Sequence, residues 1–384
     1  MLAAAGSVAA VLAALFDGDA ARQAAAQDWP PFVLVSGLLL VGLVADEEGL
    51  FAAAGQRLAR VSRHGVVVFA GAVVLVAGVT SVLNLDTSVA FLTPVLVHTA
   101  RWRNPEGGDD TALVMACLMV SNAASLLLPG ANLTNLIVLG HLHLSGGGFL
   151  GRAAAASSVA VVVTALVVGI AGRRTLATVR PTGSADDGGA LDGDSRTKAA
   201  RIDLGMGALA AVTVAVLVIA LRSPAIPVAA VGVVAVTASG VARGRPLSRA
   251  LGVLGLPVLV GLLGVAVALG ALGRAWSGPS ELLSHLDAWG TAALGALASV
   301  ACNNLPAASL LAARVPPRPL ALLVGLDVGP NLFLTGSLSW VLWRRAAAIA
   351  GARPSVARAS LLGLVSVPLA GAGALGILAL VGTR

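Results

Sequence analysis

Four polar motifs interrupt an otherwise apolar sequence: NLDT at residues 84–87, NLTN at 132–135, CNNLP at 302–306 and DVGPN at 327–331. Each motif brings amides or a carboxylate into a stretch that otherwise suits lipid. Ionisable groups in apolar segments cost free energy, and they mark the path of an ion or a substrate by default. Two motifs fall in each half of the chain, which indicates a duplicated transporter with its site between the repeats.

The composition between the motifs is that of a polytopic membrane protein. Of the 384 residues, 57% are hydrophobic and 11% are charged, whereas soluble domains carry about 25% charged residues. The net charge of +7 comes from arginines clustered between apolar runs, as in the inner loops of membrane proteins. That pattern argues against nucleic-acid binding. Cys117 and Cys302 have no Cys or His at ligand spacing, so we expect neither a disulfide framework nor a metal site.

Apolar runs of about twenty residues predict membrane helices. We therefore predict an all-α polytopic membrane protein, with runs at 2–16, 31–45, 66–83, 111–141, 150–172, 204–221, 225–241, 250–272, 288–301, 319–343 and 359–382. Two shorter apolar pieces, 88–99 and 307–313, are too short to cross unaided. They fit the second arms of re-entrant hairpins, whose tips must be covered by protein or water. Residues 46–63 predict an amphipathic segment along the inner surface.

Arginine placement predicts two repeats of inverted topology, each with a re-entrant hairpin and a broken helix. The N-terminal repeat covers 1–172, with its hairpin at about 66–99 and its broken helix at 111–141. A cytoplasmic linker covers 173–203, and the C-terminal repeat covers 204–384, with its hairpin at about 288–313 and its broken helix at 319–343.

A weak internal repeat supports this division. A shift of about 218 positions lays Asp86 on Asn304. A shift of about 205 positions lays Asn122 on Asp327 and Asn132 on Ser337. The match is one of polarity and position rather than identity.

Proline and glycine end regular hydrogen bonding near Pro129 and Pro330, and the freed backbone groups can be satisfied by an ion or a polar solute. Ser121 and Asn122 are expected to line the first break. The expected substrate-binding side chains are the amides and hydroxyls of the motifs and their surroundings: Asn84, Thr87, Ser125, Asn132, Thr134, Asn135, Asn303, Asn304, Asn331, Thr335 and Ser337.

Asp86 and Asp327 are the acids of these segments, and neither has a Lys or Arg nearby in the sequence. A carboxylate in a low-dielectric setting takes up protons readily, so both are candidates for coupling to a proton or a sodium ion. The structural alternative is that each acid caps a half-helix. The amides have a structural alternative too, because polar side chains often bridge membrane helices.

The motifs resemble those of the arsenite and antimonite efflux permeases (arsenical pump membrane proteins) of the ion-transporter superfamily. The similar stretches lie within about residues 31–345: LVADEEGLF at 43–51, NLDT at 84–87 leading to LTP at 92–94, ASL at 124–126 leading to NLTN at 132–135, NNLP at 303–306, and DVGPN at 327–331 with GSL at 336–338.

This resemblance implies an inverted-repeat fold with two re-entrant hairpins and the export of trivalent metalloid hydroxides. It also implies proton-linked transport or partnership with a separate ATPase subunit, in the inner (plasma) membrane of the cell. We expect a carrier by alternating access rather than an enzyme, without a cofactor.

Other functions remain open at this stage. Sister families of the superfamily carry dicarboxylates or other anions with sodium, or exchange sodium for protons. An intramembrane aspartyl protease could use Asp86 and Asp327 as a catalytic pair. Such enzymes typically present Tyr-Asp and Gly-x-Gly-Asp motifs, whereas this chain has no tyrosine and Asp327 follows Gly325-Leu326.

Overall fold

The computed structural model describes residues 2–62, 64–104, 108–109, 111–140, 144–177, 205–244, 246 and 248–382. These residues form helices and no strand, as the sequence predicts. Those before position 178 form α1 (Leu2–Phe16), α2 (Gly18–Glu47), α3 (Leu50–Val61), α4 (Gly65–Leu83), α5 (Leu85–Arg103), α6 (Ala112–Ala124), α7 (Leu133–Leu139), α8 (Gly146–Ala171) and α9 (Arg173–Ala177). Those after position 204 form α10 (Met206–Ala220), α11 (Ala225–Arg243), α12 (Ser248–Leu254), α13 (Leu256–Ala275), α14 (Gly278–His285), α15 (Ala288–Cys302), α16 (Asn304–Leu311), α17 (Pro319–Val328), α18 (Leu338–Ile349) and α19 (Val356–Val381).

Within these ranges, six helical segments are long and apolar enough to cross a membrane: Gly18–Glu47, Gly65–Leu83, Gly146–Ala171, Ala225–Arg243, Ser248–Ala275 and Val356–Val381. Large apolar side chains point away from the protein, as at Leu209 (64% exposed), Leu361 (63%) and Leu380 (83%). So much exposed apolar surface is unfavourable in water and suits lipid. A helical backbone satisfies its own hydrogen bonds there.

The second membrane helix begins earlier than predicted. The sequence places it at 31–45, whereas α2 runs from Gly18 to Glu47 and contains Pro30 and Pro31. Prolines are tolerated in membrane helices when neighbouring helices and side chains satisfy the freed backbone groups. The Asp17 side chain caps the new start by accepting a hydrogen bond from the Ala20 N–H at 2.9 Å. The longer helix brings Asp28 into the protein interior.

The second arm of the first hairpin is also longer than predicted. By its sequence, the apolar piece 88–99 is too short to cross a membrane, but α5 has 19 residues, as many as α4. Asp86 and Thr87 belong to its first turn and Arg101 and Arg103 to its last, so polar residues at both ends hid its length. By contrast, α16 has only eight residues. Of the predicted linker 173–203, residues 173–177 form α9, and the remainder lies outside the described residues.

Glycines bring the backbones of two helix pairs into contact. Gly37 of α2 faces α11, and a Cβ at this position would lie 2.7 Å from the Ala229 backbone. Gly6 of α1 faces α13, and a Cβ there would lie 2.0 Å from the Gly261 carbonyl oxygen. Small residues allow such close packing of membrane helices. No side chain larger than hydrogen fits at either contact.

Two helical runs are interrupted in the middle. Between α6 and α7, the chain forms a short 3-10 turn at Pro129–Ala131. Between α17 and α18, it forms a 3-10 turn at Gly329–Leu332 followed by residues 333–337 in irregular conformation. We call these interruptions the first and second break. Both contain the proline that the sequence analysis identified, because proline has no N–H to continue the helix.

Candidate functional site

The two broken helices meet at the first and second breaks. Asn122 at the end of α6 donates from Nδ2 to Asn331 Oδ1 at 2.9 Å. Asn132, which caps the start of α7, donates from Nδ2 to Asp327 Oδ1 at 2.8 Å. All four residues are buried. These two hydrogen bonds join residues about 200 positions apart, so the halves of the chain share one polar centre.

Side chains satisfy the backbone groups that the breaks leave free. Asn135 donates from Nδ2 to the Ser125 and Leu128 carbonyl oxygens, at 2.7 Å and 3.1 Å. At the second break, the Trp340 indole N–H donates to the Pro330 carbonyl oxygen at 2.8 Å. Unpaired buried carbonyls are costly, so these contacts stabilise the irregular backbone. Asn135 and Trp340 therefore have structural partners in this state.

Asp327 is the carboxylate of this polar centre and is 0% exposed. One oxygen, Oδ1, accepts from Asn132, and Ser125 lies beside the same carboxylate. The other oxygen, Oδ2, has no hydrogen-bond partner among the described residues. No arginine, lysine or histidine in the described ranges contacts the carboxylate. A buried charge without a counter-charge is unfavourable, so a bound proton or cation is needed to neutralise it.

Two further oxygens near this carboxylate lack partners. Thr134 Oγ1 and Asn135 Oδ1, both at the start of α7, are buried without a hydrogen-bond partner in the described part of the chain. Buried oxygens of this kind are commonly satisfied by water, an ion or a solute. Within the same residues, no group of three or more His, Cys, Asp and Glu side chains forms a metal site.

The two hairpins turn at asparagines with the same unusual backbone. Asn84 between α4 and α5 has φ 91°, and Asn303 between α15 and α16 has φ 76°. Left-handed backbone is rare for residues other than glycine, and asparagine tolerates it better than most. Each side chain then caps the next helix: Asn84 Oδ1 accepts from the Thr87 N–H at 2.8 Å, and Asn303 Oδ1 from the Leu305 N–H at 3.4 Å.

The tip of the second hairpin packs against the second break. The Asn304 N–H donates to the Gly336 carbonyl oxygen at 2.9 Å, and Asn303 Nδ2 donates to the Thr335 carbonyl oxygen at 3.4 Å. The next residue, Ser337, is buried and donates to Asn122 Oδ1 at 3.5 Å. The second tip is thus continuous with the polar centre at the crossing of the broken helices.

The tip of the first hairpin has a looser connection to that centre. Ser88 Oγ lies 3.3 Å from Ser121 Oγ of α6. Thr87 packs against α2 at Gly42, where a Cβ would lie 2.4 Å from the threonine methyl group. Asp86 is half-buried, and no donor among the described residues contacts its carboxylate. Among the predicted site residues, Asn84, Asp86 and Thr87 therefore form a separate group.

A family model for citrate transporters (CitMHS) matches residues 1–326 of this chain. The chain belongs to the citrate transporter family. No curated protein matches it. Membership in the citrate transporter family, together with the six candidate spans, makes the protein a multi-pass secondary membrane transporter of an ion-transporter type. The family match does not confirm the resemblance to arsenite efflux permeases.

Two parts of the polar interior of this member of the citrate transporter family were not predicted from its sequence. Ser339 is 0% exposed and donates to Asn122 Oδ1 at 3.4 Å. The sequence does indicate Ser339 as a site residue, because it ends the Gly-Ser-Leu-Ser run that begins at Gly336 and contains Ser337. Gln27 and Asp28 were missed for a different reason: they precede two prolines and were not assigned to a helix.

Proposed function

We propose that this transporter exports arsenite or antimonite as the neutral trihydroxide, in exchange for protons, by alternating access. The observation that carries this proposal is the chemistry of the polar centre. Amides, hydroxyls and one carboxylate form it, and no cationic side chain contacts it among the described residues. Such a centre suits a neutral solute that both donates and accepts hydrogen bonds.

Each functional group of a trihydroxide has a partner of the right kind in this centre. Its hydroxyls can donate to Asp327 Oδ2, Thr134 Oγ1 and Asn135 Oδ1, three of the buried oxygens that lack partners among the described residues. They can accept from the amide groups of Asn122, Asn132 and Asn331, which would exchange their present partners for the solute. The proposal does not depend on binding of the metalloid by several thiols. Of the two cysteines, Cys117 is buried and Cys302 is exposed, so a solute could reach one thiol at most.

Asp327 is proposed to carry the coupling proton. With the proton bound, its carboxyl group is neutral and stable in the buried centre. With the proton released, its oxygens become acceptors for the hydroxyls of the solute. Proton and solute then compete for one group, which is the requirement for exchange. Asp86, at the tip of the first hairpin, is proposed as a second coupling residue, because it is the acid of that tip and no donor among the described residues contacts its carboxylate.

The contacts support the proposed duplication. The offset of about 205 residues lays Asn122 on Asp327 and Asn132 on Ser337. The hydrogen bond from Asn132 to Asp327 thus corresponds to the one from Ser337 to Asn122. Two equivalent contacts are expected when related halves meet around a pseudo-twofold axis. We therefore propose that 1–172 and 204–384 are inverted repeats, with re-entrant hairpins.

Citrate is the second candidate, favoured by the family to which the chain belongs. The starts of α5 and α16, beside Asn84 and Asn303, offer backbone N–H groups and partial positive charge to a carboxylate. A citrate trianion next to Asp327 would still need co-bound cations, because like charges repel strongly in a low dielectric. Sodium-coupled dicarboxylate or anion symport and sodium/proton antiport are the related alternatives.

The test is arsenite accumulation in arsenite-sensitive cells that express the wild type, Asp327→Asn or Thr164→Val. Thr164 is a matched control: it is buried in α8, its hydroxyl has no partner among the described residues, and it lies outside the site. We expect lower accumulation with the wild type and Thr164→Val than in empty cells, and no lowering with Asp327→Asn.

Purified protein in proteoliposomes separates the alternatives. Arsenite movement driven by a proton gradient, without any ATPase subunit, supports the proposal. Citrate uptake with a divalent cation or sodium, and no arsenite movement by a correctly inserted protein, contradicts it and favours the second candidate. A requirement for ATP and a partner subunit would contradict the proton-coupled form. Fractionation checks the proposed location in the plasma (inner) membrane.

A further inference from the structure

A second polar cluster lies where α2 meets α13, α16 and α7. Its centre is Asp28 of α2, which is 1% exposed and whose Oδ2 has no hydrogen-bond partner among the described residues. Ser309 of α16 lies beside this carboxylate. Like Asp327, Asp28 is a buried acid that requires a counter-charge or a proton. The transport site proposed above makes no use of it.

Arg274, in the last turn of α13, supplies the counter-charge. A Cβ at Gly270 would lie 3.2 Å from Arg274 Nη1 and 3.5 Å from Asp28 Oδ2, so both groups border the space above this glycine. Nη1 also donates to the Gly270 carbonyl oxygen at 2.9 Å. The absence of a side chain at Gly270 thus leaves room for the acid and the guanidinium to approach each other.

Gln27 connects this pair to the helices that bear the site. Its Oε1 accepts a hydrogen bond from Arg274 Nη2. Its Nε2 donates to the Ile137 carbonyl oxygen at 3.0 Å and to the Ala312 carbonyl oxygen at 3.1 Å. Ile137 belongs to α7, the second part of the first broken helix, and Ala312 follows α16, the second arm of the second hairpin. Arg274 therefore orients the amide that attaches α2 to both elements.

Arg274 is the one charged group that faces Asp28 within the described ranges. Residues 3–16 of α1 contain no titratable side chain, and α7 and α16 contribute Ser309 and backbone carbonyls. Arg314 donates to the Arg274 carbonyl oxygen at 2.8 Å and does not contact the acid. The remaining charged side chains of α2, Asp19, Arg22, Asp46 and Glu47, lie towards its two ends, where Asp19 pairs with Arg22 and Glu47 with Arg249.

We infer that Asp28 is a further proton-binding residue, with Arg274 as the nearby internal counter-charge. A proton from water adds to one carboxylate oxygen, the charged acid becomes neutral beside the guanidinium cation, and release of the proton reverses the change. The guanidinium disfavours a metal cation at this position, whereas a proton needs no further ligand. The proton would enter along Arg274, which is half-buried one residue before the end of α13.

Protonation changes how firmly the site-bearing elements are held. With Asp28 charged, its attraction for the guanidinium holds Arg274 beside Gly270, where Arg274 donates to Gln27. Gln27 in turn bonds the Ile137 and Ala312 carbonyl oxygens. With Asp28 neutral, this restraint is weaker. Proton binding at Asp28 therefore favours movement of α7 and α16 relative to α2 and α13. This role in transport rests on the proposed proton coupling, but proton binding itself does not depend on the substrate.

The experiment has one arm that needs no substrate. Infrared difference spectra of the purified protein in lipid are recorded between about pH 8 and about pH 5, a range in which buried acids commonly titrate. We expect Asp28→Asn to remove one protonated-carboxyl band, Arg274→Gln to shift its titration to higher pH, and Thr164→Val to leave it in place. The double variant Asp28→Asn with Arg274→Gln carries no unpaired charge and serves if the single variant does not fold.

The second arm measures proton-driven arsenite transport and arsenite exchange without a gradient. We expect Asp28→Asn to reduce the pH dependence of driven transport to the part that Asp327 supplies, while retaining exchange within about twofold, whereas a merely structural role would lower both alike. Infrared spectra of Asp28→Asn identical to those of the wild type would overturn the inference even if arsenite is transported. Loss of the band together with no arsenite transport by the wild type would refute the proposed substrate and support Asp28 as a proton site.

Discussion

The hairpin of α4 and α5 and the hairpin of α15 and α16 turn at the same kind of residue in different surroundings. Both turns are single asparagines with left-handed backbone that cap the following helix. Asn84 is 1% exposed and is followed by an acid, Asp86, whereas Asn303 is half-buried and is followed by a second amide, Asn304. The arms of the first hairpin have 19 residues each, and those of the second have 15 and eight.

In the proposed duplication, the two halves share the backbone geometry of the turn but differ in where the acid lies. Both hairpins have an asparagine of positive φ directly before the second helix. The acid lies in the hairpin of the first half and in the broken helix of the second, at Asp327. Each half thus contributes one carboxylate from a different element.

The largest expected effect is on transport activity, and it distinguishes Asp327 from Asp86. Asp327→Asn should lower transport by about tenfold to a hundredfold, because a buried hydrogen bond to a charged group is worth about 1.5–3 kcal/mol. Asp86→Asn should lower it less, since Asp86 is half-buried and has no donor to lose. Initial rates in proteoliposomes measure both. Equal losses would show that the acids act as one pair and would remove the distinction between the halves.

The next largest effect is on stability, and it distinguishes the turn at Asn84 from the turn at Asn303. Asn84→Ala should lower the free energy of unfolding by about 1–2 kcal/mol, through loss of the helix cap and strain at positive φ. Asn303→Ala should cost less, because its cap hydrogen bond is 3.4 Å rather than 2.8 Å long and its surroundings are more exposed. Thermal unfolding in detergent tests this order.

Glycine variants provide the control for this comparison. Asn84→Gly and Asn303→Gly keep the left-handed backbone accessible, so each should recover part of the alanine loss. If glycine is no better than alanine at Asn84, the cap alone accounts for the effect and backbone strain does not.

Thiol accessibility should also distinguish the tips. Cys302 precedes Asn303 and is exposed, whereas Cys117 is buried. A maleimide reagent should therefore modify one of the two native thiols. Leu83 precedes Asn84 and is 2% exposed. In a Cys302→Ser background, Leu83→Cys should react at least about tenfold more slowly than Cys302 does, because its labelling requires local opening. Mass spectrometry of the labelled protein measures both rates, and equal rates would show that the first tip opens readily.

The smallest expected effect concerns the bases of the hairpins. After α5, Asp109 accepts from Arg101 Nη2 at 3.1 Å and from the Arg353 N–H at 2.7 Å. The Arg353 N–H and the Arg101 guanidinium lower the pKa of Asp109. Next to the second hairpin, Arg314 and Arg318 donate only to backbone carbonyls.

The lowered pKa determines the sign of the pH effect. The stabilisation by Asp109 is complete above the ordinary carboxyl pKa and is lost as pH falls through the lowered value. Asp109→Asn should therefore lower the free energy of unfolding at neutral pH by less than about 1 kcal/mol, as for other exposed ion pairs. In strong acid, the variant and the wild type should unfold alike. A difference that grows as pH falls would contradict this assignment.

Hydropathy predicted most helices well, because membrane helices depend mainly on the length and composition of each segment. The start of α2 could not be predicted in this way, since alanines, Gln27, Asp28 and two prolines resemble a loop. Only packing against α13 and α7 makes this segment a buried helix. The breaks near Pro129 and Pro330 were predictable, because proline acts locally.

The partners of the site residues were beyond sequence reasoning. Asn132 and Asp327 are 195 positions apart, and no local pattern indicates which amide meets which acid. The offset of about 205 residues pairs Asn122 with Asp327 and Asn132 with Ser337, but it does not show which of these residues contact each other. Asp86 resembled Asp327 in sequence context, yet only Asp327 has a donor in the polar centre.

The glycine contacts of α2 with α11 and of α1 with α13 have a mechanical consequence. Backbones that touch without clearance cannot slide or roll past each other, so these four helices act as a stiff frame. The broken helices are joined by side-chain amides, which can exchange partners at little cost. In the proposed transport cycle, we therefore expect the broken helices and hairpins to move. A methyl group at Gly37 would distort the frame and leave the polar centre chemically intact.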